Sequence, residues 1–220
     1  MLNDLLNNLP MYLMRIPVIL LALTVHEAAH GWMAYKMGDP TARNLGRLTL
    51  NPLRHLDPVG TLMMLVVGFG WAKPVPVNTR NFTNPRRGMA LTALAGPLSN
   101  FLMSLGGMLL FRILFAVFMA FSLSGHLFAW VVLLFVQVFY TLNLYLAIFN
   151  MLPVPPMDGS RILFVFLPDK YYFGIMKYER YIMMAMMLLL ITGTLSLPLG
   201  FVAGKIESGF MWLLGFIPFL

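Results

Sequence analysis

Long stretches without a charged side chain set the strongest limit on what this chain can fold into. Residues 88–111 and 113–157 contain no Asp, Glu, Lys or Arg, and only Arg112 separates them. A soluble domain is about 25% charged residues, whereas this chain of 220 residues is 10% charged and 60% hydrophobic. These charges are too few to cover a water-facing surface. The chain is therefore predicted to be an integral membrane protein surrounded by the lipid bilayer.

The apolar runs predict an all-α polytopic membrane protein with about five to six transmembrane or partial-span helices. The first span covers residues 16–35. A turn at 122–126 divides the central region into helices near 88–121 and 127–152, each long enough to cross a bilayer. Another run without charges covers 181–204, whereas residues 208–220 are too short to cross unaided.

The basic residues predict the orientation. Eight of the 15 lie between the first span and residue 88, four more lie between 158 and 181, and the turn at 122–126 has none. Because basic residues mark cytoplasmic loops, both groups are assigned to the cytoplasmic side of a plasma membrane, with the N-terminus outside. The apolar segment 58–72 is then re-entrant or a partial span. The net charge of +7 is explained by this orientation rather than by nucleic acid.

Two short segments on the cytoplasmic side have the pattern of extended chain. Residues 41–50 contain an alternation of side chains, and residues 74–80 begin with Pro-Val-Pro-Val. Proline cannot donate to a β-ladder, so the second segment would be an edge strand. A small cytoplasmic-side β element is therefore expected within one membrane domain that covers residues 1–220.

The first predicted span contains the motif H-E-x-x-H, from His26 to His30. On a helix, residues four apart face the same side, so both imidazoles can bind one metal ion, and Glu27 can reach a water on that ion. Ionisable groups inside a membrane cost about 2.5–3.5 kcal/mol each even on a lenient scale. This cost favours a metal site over the alternative of two helix-packing histidines with a fortuitous glutamate.

Asp158 is the candidate for a third ligand. Catalytic zinc sites use three protein ligands and one open position, and the chain has no cysteine. Asp158 directly follows a long apolar helix and three prolines that must break that helix. Broken backbone at membrane depth lines a cavity or is buried in protein. The alternative is that Asp158 and Gly159 form an ordinary turn at the helix end.

Three motifs together resemble one family. The H-E-A-A-H motif, the sequence N-x-x-P-x-P-x-x-D-G at 150–159 and the sequence A-G-P-x-x-N at 95–100 are similar to those of the site-2 proteases, which are intramembrane zinc metalloproteases. Many relatives carry a PDZ or CBS domain, and this sequence has room for neither, so it looks like a minimal member. The resemblance implies a zinc cofactor and substrates that are transmembrane segments of other proteins.

The resemblance also implies a role for each residue of the motifs. The implied ligands are His26, His30 and Asp158, the implied catalytic base is Glu27, and Asn100 and Asn150 are placed near the active site. In such a site Glu27 would activate a zinc-bound water and pass its proton to the leaving amine. The amides of Asn100, Asn143 and Asn150 could stabilise the developing oxyanion or could only join neighbouring helices.

Two further hypotheses follow from the sequence. An extended segment, 74–80 or 45–50, could pair with an unwound substrate as an added strand. The principal alternative to a protease is a membrane metal-ion transporter, or a non-catalytic metal-binding membrane protein, that uses the same His-His-Asp cluster. A transporter would need no glutamate beside the metal.

Overall fold

A computed structural model describes residues 2–58, 60, 72–123 and 125–215 of the chain. The named elements are eight α-helices: α1 (Leu2–Lys36), α2 (Thr41–Asn44), α3 (Pro85–Ala120), α4 (Leu127–Asn150), α5 (Asp158–Phe164), α6 (Asp169–Met176), α7 (Glu179–Ile191) and α8 (Ser196–Leu214). Two 3-10 turns, Pro52–Arg54 and Thr79–Asn81, lie between α2 and α3.

Three of these helices are long and apolar enough to cross a membrane. They are α3, α4 and the part of α1 from Leu13 to Lys36. Helices α7 and α8 pass the same test only as a pair, which is bent by 79° at the break between Ile191 and Ser196. The run 181–204 is thus not one straight helix, because the chain turns at Gly193, whose φ is +71°. The described residues contain three or four spans, and the expected five to six are not confirmed.

The β element expected on the cytoplasmic side is absent from the described part of the chain. An isolated antiparallel bridge between Leu56 and Ala72 is the only β pairing there. The prediction of extended chain for 41–50 is wrong for its first residues, which form α2. Asp39 accepts hydrogen bonds from the backbone N–H and the hydroxyl of Thr41, the first residue of α2, and such local side-chain bonds compete with the extended chain that a weak alternation of side chains predicts.

Two predicted segments lie wholly or partly outside the described residues. For the re-entrant segment 58–72, residues 59 and 61–71 are outside. For the segment 208–220, α8 continues to Leu214, and 216–220 are outside.

Helix α3 lies at the centre of the molecule and packs most extensively against α4 and then against α1. Its start is fixed by an Asn-Pro pair: the side chain of Asn84 accepts the backbone N–H of Arg87 at 3.1 Å, and Pro85 supplies the first helical residue. An apolar cluster joins α3, α4 and α8 around the fully buried Leu144. Many large apolar side chains face outward, such as Phe128 and Trp130, as expected for contact with lipid.

Candidate metal centre

Helix α1 places two imidazoles side by side in the interior of the protein. His26 and His30 lie one turn apart, with 5% and 8% of their surfaces exposed, and their Nε2 atoms are 3.0 Å apart. The rings meet edge to face with centroids separated by 4.6 Å. The i, i+4 spacing of the motif therefore gives one face with two converging nitrogens, as the sequence predicted.

Asp158 reaches the same point from a distant part of the chain. It is the first residue of α5, and its Oδ2 lies 3.1 Å from Nε2 of His26 and 3.2 Å from Nε2 of His30. A carboxylate oxygen so placed can act as a metal ligand together with the two imidazoles, in its charged form.

A tight turn brings α5 back to the end of α4 and positions Asp158. A Cβ atom at Gly159 would lie 2.2 Å from the carbonyl oxygen of Met151, so only glycine allows this approach. Gly159 is the second residue of α5, so what its position requires is space beside Met151. The hydroxyl of Ser160 donates to the carbonyl of Met157 at 2.6 Å and closes the first turn.

The second nitrogen of each imidazole has an oxygen partner on α3. His26 Nδ1 lies 2.6 Å from Oδ1 of Asn100, and His30 Nδ1 lies 2.7 Å from the carbonyl oxygen of Thr92. The Nδ2 of Asn100 donates to Oδ1 of Asn143 at 2.8 Å, so the amide of Asn100 is oriented with its oxygen toward His26. Each histidine therefore carries its proton on Nδ1 and leaves the Nε2 lone pair toward the other histidine and Asp158.

This arrangement needs a cation at its centre. Two imidazole lone pairs and a carboxylate oxygen converge within 3.0–3.2 Å, and none of the three atoms has a proton to donate. In a tetrahedral zinc site with bonds of about 2.0–2.2 Å, ligand atoms are about 3.3 Å apart. The observed spacing is close to this value. The two nitrogens and one oxygen are also ligands that zinc commonly takes, and their hydrogen-bonded imidazoles match the supporting contacts of metal-bound histidines.

Gly96 of α3 makes room for the two rings. A Cβ atom at this position would lie 2.4 Å from Nε2 of His30 and 2.7 Å from Cε1 of His26. The sequence analysis considered Gly96 and Pro97 only as part of the A-G-P-x-x-N motif. How close these residues lie to the imidazoles depends on how α1 packs on α3, and no local sequence pattern predicts this packing.

Glu27 lies beside the cluster without contributing one of its three converging atoms. Its side chain is half-buried, and its Oε2 accepts a hydrogen bond from the backbone N–H of Val75 at 2.8 Å. This contact comes from the segment 74–80 and was missed by the sequence analysis, since a backbone donor leaves no mark in the sequence. Glu27 is thus the ionisable group left over next to the three possible ligands.

The amides predicted near the site differ in what they contact. Asn100 is fully buried and contacts the cluster through His26. Asn143 supports Asn100 in turn and donates to the carbonyl of Phe139 at 2.9 Å. Asn150 donates to the carbonyl of Leu146 on its own helix at 3.0 Å. No hydrogen bond described for the chain joins Asn150 to the His-His-Asp cluster.

A cavity of about 600 Å³ opens next to the metal centre. Its walls include Val75, whose N–H contacts Glu27, and Ser160, two residues from Asp158. Apolar side chains dominate the wall, and the charged groups on it are Arg86, Arg161 and Glu179. The cavity is large enough for an extended peptide segment, and its wall includes the hydrogen-bond partner of Glu27 and a residue close in sequence to Asp158.

Comparison with known proteins agrees with this geometry. A relative from Bacillus subtilis that is named as a zinc metalloprotease, YwhC, is 42% identical over 178 residues, which cover 79% of this chain and 78% of YwhC. The family model described as peptidase family M50 matches residues 112–193, which include Asp158. The chain belongs to peptidase family M50. It is a zinc metalloprotease, and its apolar helices make it a multi-pass membrane protein.

More distant relatives of this M50 peptidase carry the same kind of name. The zinc metalloprotease named Rip2 of Mycobacterium tuberculosis is 32% identical over 150 residues, or 66% of this chain and 53% of Rip2. The one named MJ0611 of Methanocaldococcus jannaschii is 34% identical over 107 residues, or 48% of this chain and 49% of MJ0611. No solved structure matches the chain. Membership in a peptidase family favours the protease over the metal-ion transporter.

Proposed function

We propose that this M50 peptidase is an intramembrane endopeptidase that hydrolyses peptide bonds in or near the transmembrane segments of other membrane proteins. His26, His30 and Asp158 would hold the zinc ion, and Glu27 would be the catalytic base. The observation that carries the proposal is the convergence of three buried acceptors beside a glutamate, with two of them on a helix that can span the membrane.

The proposed chemistry divides the work between the metal and one carboxylate. Zinc in such a site acts as a Lewis acid, which makes water a nucleophile at neutral pH and polarises a carbonyl. Glu27 would accept a proton from the attacking water and donate it to the leaving amine. Asn100 holds His26 in the tautomer that a ligand needs. Asn150 would orient the substrate after exchanging the carbonyl of Leu146 for a substrate group.

The cavity beside the centre supports a site for unwound substrate. A transmembrane helix hides its peptide carbonyls in i→i−4 hydrogen bonds, so a substrate must be extended before attack. The cavity meets this need, because its wall includes Pro74, Val75 and Val77, and the N–H of Val75 is bonded to Glu27. The arginines on its wall are consistent with the cytoplasmic side of a plasma membrane, with the N-terminus outside and residues 1–220 acting as one membrane domain.

The decisive experiment is the substitution Glu27→Gln in purified protein reconstituted into liposomes. We expect cleavage of a panel of single-span substrates to fall at least 1000-fold, because the base is lost, while one equivalent of zinc remains bound. Asp158→Ala is the matched variant, which should lose both zinc and cleavage. Cleavage by Glu27→Gln at the rate of the natural protein would overturn the mechanism.

The same liposomes test the alternative function, which is metal-ion transport. A zinc flux that survives Glu27→Gln and requires His26, His30 and Asp158 would favour transport, whereas no such flux is expected of an endopeptidase.

A further inference from the structure

Residues 73–78, here called the strap, cross beside α1 and are fixed at both ends. At one end, Arg47 donates to the carbonyl of Lys73 at 2.7 Å, and the N–H of Lys73 donates to the carbonyl of His55 at 2.8 Å. At the other end, the N–H of Asn78 donates to Oδ2 of Asp39 at 2.7 Å. The strap is therefore tied to the elements on either side of it.

The middle of the strap contacts Glu27. Val75 donates its backbone N–H to Oε2 of Glu27 at 2.8 Å, and its side chain is buried against Gly31 of α1. Pro74 and Pro76 have no N–H, so Val75 supplies the single backbone donor of this three-residue stretch. A hydrogen bond from a neutral N–H to a carboxylate is one of the stronger kinds in proteins.

We propose that the N–H of Val75 is a positioning group that holds the Glu27 carboxylate in its working orientation. This inference rests on the proposed role of Glu27 as the base. A carboxylate turns freely about its last bond, and a general base must lie within hydrogen-bond reach of the proton that it abstracts. With Oε2 held by Val75, the orientation of the carboxylate is set before substrate arrives, and Oε1 is the oxygen left to accept the proton.

The hydrogen bond between Val75 and Glu27 limits which backbone groups of the strap a substrate can pair with. Strand addition needs backbone donors and acceptors on the strap. Pro74 and Pro76 offer no donor, and the N–H of Val75 is already bonded to Glu27. Pairing with substrate through backbone donors would thus depend on Val77, whereas Val75 serves the catalytic base. Proline substitutions at 75 and 77 separate these two roles.

The first experiment measures the Val75 amide directly and needs no protease activity. Hydrogen exchange of this amide is followed by NMR in protein labelled with ¹⁵N-valine. We expect slow exchange in the natural protein and in Glu27→Gln, whose amide oxygen still accepts the bond, and exchange at least tenfold faster in Glu27→Ala. Equal exchange rates in all three proteins would overturn the proposal, and this result would leave the proposed protease function standing.

The second experiment compares Val75→Pro with Val77→Pro. Loss of the Val75 N–H should lower kcat about 10- to 100-fold, the size expected for a misplaced catalytic group, with KM within twofold and zinc still bound. Val77→Pro should instead act on KM. An unchanged kcat in Val75→Pro, or equal losses of kcat in both variants, would contradict a positioning role. If the natural protein cleaves no substrate at all, the proposed function fails instead, and the exchange experiment still decides the contact.

Discussion

At the scale of single residues, the metal centre depends on groups that are not among its three converging acceptors. The side-chain oxygen of Asn100 and the carbonyl oxygen of Thr92 each accept a hydrogen bond from an Nδ1–H. Both Nε2 atoms are therefore left facing the centre. Gly96 gives the rings the space in which to do so. The affinity for zinc should therefore be set by α3 as much as by the three proposed ligands.

Gly96→Ala should abolish or strongly weaken zinc binding. Its methyl group would overlap the imidazoles of His26 and His30, and the helix backbone cannot move away without loss of packing. The control is Gly106→Ala in the same helix, where a Cβ meets no atom within 4 Å. We expect the control to bind zinc normally and to be slightly more stable, by up to about 1 kcal/mol. Metal analysis of the purified variants checks both results, and normal zinc content in Gly96→Ala would contradict this account.

Asn100→Ala should weaken zinc binding about 10- to 100-fold, the usual cost of losing a partner of a metal-bound histidine. His26 would lose the acceptor that fixes its tautomer, and Asn143 would lose its donor. Competition with a chelator measures the affinity. Leu102→Ala, on an exposed position of the same helix, provides the comparison and should leave the affinity unchanged.

At the scale of elements, sequence predicts the long helices well and the short connections poorly. Helices α3 and α4 match their expected ranges because lipid forces long apolar stretches to satisfy their own backbone hydrogen bonds. The spacing of the H-E-x-x-H motif likewise fixes the relative positions of two imidazoles by helix geometry alone. Residues 41–44 are helical although a strand was expected, with Thr41 bonded to Asp39. Residues 74–78 are held by the side chains of Glu27 and Asp39 rather than by a ladder. Such contacts join distant parts of the chain and leave no periodic pattern.

Asp39 connects the end of α1 to the strap, and its loss should lower the free energy of unfolding. Burial alone would raise its pKa, but hydrogen bonds from Thr41, Asn81 and Asn78 outweigh it and lower the pKa below the ordinary 3.8. A lowered pKa means that the charged form stabilises the fold at neutral pH, and that this contribution is lost as pH falls below about 4.

Asp39→Asn should therefore lower the free energy of unfolding by about 2 kcal/mol at pH 7, since donors on two segments would lose a charged acceptor. The difference from the natural protein should shrink as the pH falls through the acid range. Thermal unfolding in detergent across this range tests the claim. A difference that stays constant down to pH 3 would contradict it.

At the scale of the whole molecule, the metal centre, the strap and the cavity lie together at one end of α1. Charged residues on the cavity wall, Arg86, Arg161 and Glu179, give it a net positive charge. Charges at a binding surface set specificity and association rate more than affinity. Substrates whose residues next to the cleaved segment are acidic should therefore be preferred.

Arg161→Glu should reverse this preference. We expect the natural protein to cleave a single-span substrate with an Asp-rich flank about tenfold faster, as kcat/KM, than the same span with a Lys-rich flank, and the variant to prefer the Lys-rich one. Arg180→Glu, a charge reversal at an exposed residue not on the cavity wall, is the matched comparison. Equal reversal by both variants would show a general surface effect instead of contact in the cavity.

The three converging acceptors come from opposite halves of the chain, with His26 and His30 in the first helix and Asp158 after the fourth. During synthesis on the ribosome, α1 enters the bilayer long before the segment with Asp158 has been translated. A nascent or truncated chain therefore lacks one ligand of the centre. The enzyme would be harmless to the insertion machinery and to neighbouring nascent proteins until the segment with Asp158 has been translated and has packed against α1.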